Sequence, residues 1–168
     1  MSVYLGRVNQ KLFNAHQLLA DIGAASDPRR HQLLLESLLL QLLLACHFHL
    51  RHIAAQYQCR DPEAINSIAD LLTQLEVQGK APGEANEIQA LSTDCDSWWR
   101  RLHDCWRRCF CAGGLSPSAT GVTVTEVEGR VPLVTMEAPE EFSGDLGKHW
   151  LAALTEMVER QRSVMVEC

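Results

Sequence analysis

No motif that announces a chemistry is present in this chain. It has no phosphate-cradling glycine loop, no dinucleotide fingerprint, no Gly-x-Ser-x-Gly and no His-Glu-x-x-His. No Asp or Glu stands three residues before any His, so the Glu-x-x-His pairs that hold metal in di-iron bundles are missing. The 7 Cys include no Cys-x-x-Cys pair. An odd number of thiols scattered through helical segments speaks for reduced cysteines in a cytoplasmic protein, not a disulfide framework. The first residues lack the continuous apolar stretch of a secretory signal. Positive charge is also in short supply: 15 Lys and Arg stand against 21 Asp and Glu, a net charge of -6. That balance disfavours nucleic acid or an anionic membrane as a partner for the whole surface.

What the chain has in plenty is leucine, concentrated in residues 31–58. Between Leu33 and Leu50 the only formal charge is Glu36, and there is no Pro, Gly or β-branched residue. Leu, Ala and Gln favour a helix there. A membrane span needs about 20 predominantly apolar residues. Glu36, Ser37, Gln41, His47 and His49 interrupt this run, and Arg51 and His52 follow it. It reads as a core helix touched on several sides, since a helix apolar nearly all round has to be buried.

The rest of the chain reads as amphipathic partners for that helix. Tyr4, Val8, Leu12, Ala15, Leu19 and Ile22 form one stripe on a first helix over residues 3–25. Asp27-Pro28 then sets an N-cap and first helical position for the second. Asp61-Pro62 repeats the device and predicts a short third helix over 62–77, with Ile65, Ile68, Leu72 and Leu75 inward. Residues 78–83 break the chain, rich in Gly and Pro. A long fourth helix is expected over 84–112, with a weak point at Ser92-Thr93-Asp94, where short polar side chains compete for backbone bonds. Residues 122–127 and 130–136 alternate in a β-like manner and predict a small hairpin, or a loop laid across the bundle, within an insertion at 113–142. A last helix follows over 145–166, with Leu146, Trp150, Leu154, Met157, Gln161 and Val164 or Met165 inward. The expected fold is all-α, a single domain over 1–168 with four long helices, one short helix and that insertion.

The two ends, Tyr4 with Asn9-Gln10-Lys11-Leu12 and Arg162-Ser163-Val164-Met165-Val166-Glu167, resemble an uncharacterised family of small bacterial proteins. The resemblance implies an all-helical cytoplasmic protein with no assigned activity, and it brings no catalytic residues with it.

Three features carry candidate chemistry. Trp-Arg-Arg at 99–101 recurs at 106–108, seven residues on and so on nearly the same helix face. Arg100, Arg101, Arg107 and Arg108 would make a basic strip able to hold phosphate or carboxylate through guanidinium forks, or single-stranded nucleic acid beside the tryptophans. The competing reading is a solvated face paired with carboxylates such as Asp104, four residues after Arg100. The Arg-to-His spacing of four to six residues used by bundle ribonucleases is absent.

The second feature is His49 and His52, which share a helix face and would bind zinc with Cys105 and Cys109 from another helix; the alternative is a pair of polar helix-end histidines. The third is Cys105, Cys109 and Cys111 near arginines, as reactive thiols or as small core residues. No cofactor is implied. The leading expectation is a non-enzymatic bundle that binds a partner protein or a second copy of itself, with anion or nucleic-acid binding and metal binding as alternatives.

Overall fold

The computed structural model describes residues 2–111, 114–115 and 141–166, without the side chains of the last two. The predicted hairpin at 122–136 lies outside these residues. The described chain is helical: α1 (Val3–Ala24), α2 (Pro28–Gln56), a 3-10 turn (Pro62–Ala64), α3 (Ile68–Val77), α4 (Gly83–Thr93), α5 (Trp98–Arg108) and α6 (Gly144–Val166). No strand occurs among the described residues.

α2 is the axis of the molecule. It begins where its sequence predicts: Asp27 caps it by accepting the Arg30 N–H at 3.1 Å, with Pro28 in the first turn. It ends where Gln58 takes φ 56° and the Cys59 N–H returns to the Ala54 carbonyl at 2.8 Å. By length and composition it is the one described helix able to cross a bilayer. Here α1 and α6 pack along it, with α3 and α5 on further sides. The α1 stripe seats Val8, Leu12, Ala15 and Ile22 against Leu35, Leu38, Leu39, Leu42 and Ala45, all buried. At about 25 cal/mol per Å² of apolar surface removed from water, this seam is the main source of cohesion.

α6 closes the other side through Trp150, Leu151, Leu154, Met157 and Val158. Phe142 stacks on Trp150 with ring centroids 5.3 Å apart. Gly147 lets the two helices meet: a Cβ there would stand 2.6 Å from Leu38 Cδ2 and 3.3 Å from Phe142 Cζ. Val164, predicted inward, is 51% exposed because it lies past the end of the packed seam.

Two expectations are corrected. Asp61-Pro62 starts only a 3-10 turn, and Asp61 makes no side-chain cap bond. Glu63 is drawn instead to Arg51 Nη1 at 2.6 Å and to the Tyr4 hydroxyl at 2.6 Å. α3 then starts six residues on, where Ser67 accepts the Asp70 N–H at 3.2 Å. The long fourth helix is also two helices of 11 residues each. The chain breaks after Thr93: Asp94 Oδ1 accepts the Asp96 N–H, and Ser97 accepts the Arg100 N–H as the N-cap of α5. The Ser97 hydroxyl also donates to the Leu91 carbonyl, tying the two helices across the break. Cys95, within the break, is exposed.

Candidate functional site

The break before α5 decides what that helix presents. Trp99, Leu102 and Cys105 turn into the core, while Trp98 and Trp106 are half-buried. The inner tryptophan is Trp99, which stacks on His103 at 5.2 Å. A ring buried to 3% exposure offers no platform for a stacked base.

The arginine strip divides in two. Arg100 and Arg107, seven apart, line a groove against α2, and both pair with Asp104: Arg100 Nε to Oδ2 at 3.1 Å and Arg107 Nη1 to Oδ1 at 3.2 Å. Arg101 and Arg108 sit one residue on, about 100° round the helix. Arg101 is 3.6 Å from Asp96, and Arg108 Nη2 is 2.8 Å from Cys105 Sγ. This is much of the carboxylate-paired surface reading, but it leaves two cations over one shared carboxylate at the groove.

The groove has a volume of about 630 Å³. Leu40, Leu43, Leu44 and Leu50 of α2 form one wall, with His47 among them. Trp99, His103 and Trp106 of α5 form the other, and Asn66, Ser67 and Ile68 close one side. No Asp or Glu is among these lining residues. His103 Nδ1 lies 2.8 Å from the Trp99 carbonyl oxygen. A carbonyl only accepts, so that nitrogen carries the proton and Nε2 is left as an acceptor. Burial holds the His103 pKa below its ordinary value, and burial does the same for His47, with Arg51 adding to it.

His49 and His52 of α2 are fully buried, and His49 reaches α6. His49 Nε2 lies 2.7 Å from Gln161 Oε1. Gln161 Nε2 donates to Glu87 Oε2 at 2.8 Å, and Arg160 grips both oxygens of Glu87 at 2.7 and 3.0 Å. The chain of donors fixes His49 with its proton on Nε2. Among the described residues, His49 Nδ1 and both ring nitrogens of His52 have no hydrogen-bond partner. Burial lowers the pKa of His49 to about 4 and depresses that of His52. Arg160 keeps the Glu87 carboxyl below its usual range.

This arrangement is not the predicted metal centre. Among the described residues no group of three or more His, Cys, Asp or Glu converges to hold a metal ion. His49 bonds to Gln161 of α6, whereas Cys109 lies near Glu36, about 20 Å back along α2 at 1.5 Å per residue. Cys46, Cys59, Cys95, Cys109 and Cys111 are free thiols. Burial raises the pKa of Cys46, Cys59 and Cys109, which keeps them protonated and unreactive. Gln161 was expected only as an inward residue; its bond to His49 joins positions 112 residues apart, which no local spacing reveals.

A family model matches the chain across residues 1–168. The chain belongs to DUF6586, a family of unknown function. This agrees with the resemblance at the two termini, and family membership brings no activity to assign to the groove or to the histidines. Neither a curated protein nor a solved structure matches it.

Proposed function

We propose that this protein works by binding rather than by catalysis, and that the groove between α2 and α5 is where it binds. The observation that supports this reading is the groove itself, built on the most apolar helix. Its volume of about 630 Å³ falls in the range of about 300–1,000 Å³ that small-ligand sites occupy. Its lining sets six leucine and tryptophan side chains beside seven polar or charged ones, an apolar wall with polar groups to orient a ligand. Among the described residues no hydrogen bond joins Ser67, Ser92 or Cys46 to His47 or His103, the pairing a nucleophile and its base would make.

Association with a partner protein or a second copy is a second reading. It is favoured by Leu33, Leu40 and Phe110, which are 63%, 38% and 76% exposed on α2 and just past α5. Exposed apolar side chains of this size mark contact surfaces when they lie together. The free thiols fit a reducing compartment, and we place the protein in the cytoplasm on that ground.

Native mass spectrometry of untagged protein tests both readings. Groove binding is expected to show a retained small mass that denaturation releases and that Leu44→Trp, which fills the groove, removes. Association is expected to show a dimer or complex that Leu33→Glu with Phe110→Glu dissociates. A bare monomer that takes up no small molecule counts against both.

A further inference from the structure

We propose that the groove takes a small amphipathic carboxylate, with its apolar body between Leu43, Leu44 and Trp106 and its carboxylate on Arg100. The inference rests on the reading of the groove as a binding site, and it names the occupant.

Three observations point to this chemistry. The first is charge. Arg100 and Arg107 share one carboxylate, Asp104, at 3.1 and 3.2 Å, and no acidic residue lines the groove among the described residues. The groove is thus a locally cationic site on a chain whose net charge is -6. The second is the free face of the guanidinium. Arg100 commits Nε to Asp104, and its two terminal nitrogens have no hydrogen bond among the described residues. Two parallel N–H groups in a fixed plane match the two oxygens of a carboxylate. The net surplus is one positive charge, which suits a monoanion better than a phosphate dianion. The third is the wall opposite. Leu43, Leu44 and the half-buried Trp106 give an apolar surface that a wholly polar anion would leave unused. His103 Nε2, an acceptor without a partner among the described residues, adds one polar position inside the groove for a hydroxyl or amine on the ligand.

The experiment uses octanoate, octan-1-ol and octylammonium as probes on the full chain, followed by calorimetry and by the indole N–H resonances in NMR. Octanoate is expected to bind about tenfold or more tightly than octan-1-ol, the effect of one charge-assisted contact. Octylammonium is expected to bind weakest. The Trp99 and Trp106 indole signals should move on addition of octanoate, while that of Trp150, in the core beside α6, should not. Arg100→Gln is expected to remove the preference for octanoate over octan-1-ol. Arg100→Lys, which keeps the charge but not the fork, should fall between, and it serves if the Gln variant does not fold.

Equal binding of octanoate and octan-1-ol to the unaltered protein would overturn the carboxylate while leaving the groove as an apolar site. Binding that moves Trp150, or that survives Arg100→Gln intact, would also overturn it. No binding by any of the three probes would remove the groove reading together with the inference.

Discussion

His49 and Gln161 meet at 2.7 Å in the interior, so the apolar spine is fastened to the last helix by a polar bond. The bond completes a buried chain through Glu87 to Arg160 at the surface. Removing one partner of such a buried pair leaves the other unsatisfied, at a cost of about 1–3 kcal/mol.

Stability should fall in mild acid. Burial holds His49 near a pKa of about 4, against about 6.5 in an unfolded chain, so the fold favours the neutral ring. The unfolded state takes up the proton first as pH drops. The contribution is therefore complete above about pH 6.5 and is lost progressively toward pH 4, on the order of 3 kcal/mol. His52 and His103, also depressed by burial, act in the same direction. Urea denaturation at pH 7.5 and pH 4.5 measures this, and a midpoint that does not move contradicts it. His49→Gln should flatten the dependence.

The two buried histidines should respond oppositely to an apolar replacement. His52→Leu removes ring nitrogens that have no partner and is expected to be neutral or stabilising by about 1 kcal/mol. His49→Leu orphans Gln161 and is expected to cost about 1–3 kcal/mol. Denaturant midpoints of the two variants settle the comparison; a similar loss in both would show that packing, not hydrogen bonding, dominates there.

Gly147→Ala is a test of close approach. Helix propensity alone favours Ala over Gly by about 1 kcal/mol. The 2.6 Å contact with Leu38 opposes it, and the net effect is expected to be a loss of about 1–3 kcal/mol. Adding Leu38→Val should recover part of that loss, a non-additivity expected for residues in contact. Thermal unfolding of the two single variants and the double variant reads it out.

Arg51 should be irreplaceable by lysine. It donates from Nε to the Ile65 carbonyl at 3.1 Å, and from Nη2 to the Glu63 carbonyl at 2.8 Å, while Nη1 pairs with the Glu63 carboxylate. The planar fork serves all three, and an ammonium cannot. Arg51→Lys is expected to speed hydrogen exchange in residues 60–67 nearly as much as Arg51→Ala. Protection unchanged in the Lys variant would mean that charge alone holds the segment.

Chelation should do nothing. Without a converging set of ligands among the described residues, EDTA is expected to leave the melting temperature unchanged, and elemental analysis of untagged protein to find no stoichiometric metal. A fall of several degrees on chelation would place a metal in this protein.

Part of this was legible in the sequence because local signals and tertiary outcome agreed. The α1 stripe and the Asp27-Pro28 start are fixed within a few residues of chain, and the structure has both. Asp61-Pro62 carries the same signal with a different result, because Glu63 finds Arg51 and Tyr4 across space and leaves the helix to begin at Ser67. The weak point at Ser92-Thr93-Asp94 was visible; that it divides the helix depends on the Ser97 hydroxyl reaching the Leu91 carbonyl. Heptad spacing put four arginines on one face, yet the 100° step between neighbours sends Arg101 and Arg108 away from the groove. The groove itself had no linear signature, since its walls come from α2, α4, α5 and the start of α3.

The connection between α4 and α5 sets more than a bend. A shift of one residue in the phase at which α5 enters the bundle would turn it by about 100° beneath its neighbours. Trp99 would leave the interior and Arg100 would leave the groove in the same movement. Loops usually tolerate changes of length, but this one works as a fixed gauge. The core and the groove each demand the same rotation of one short helix, so neither can drift without disturbing the other.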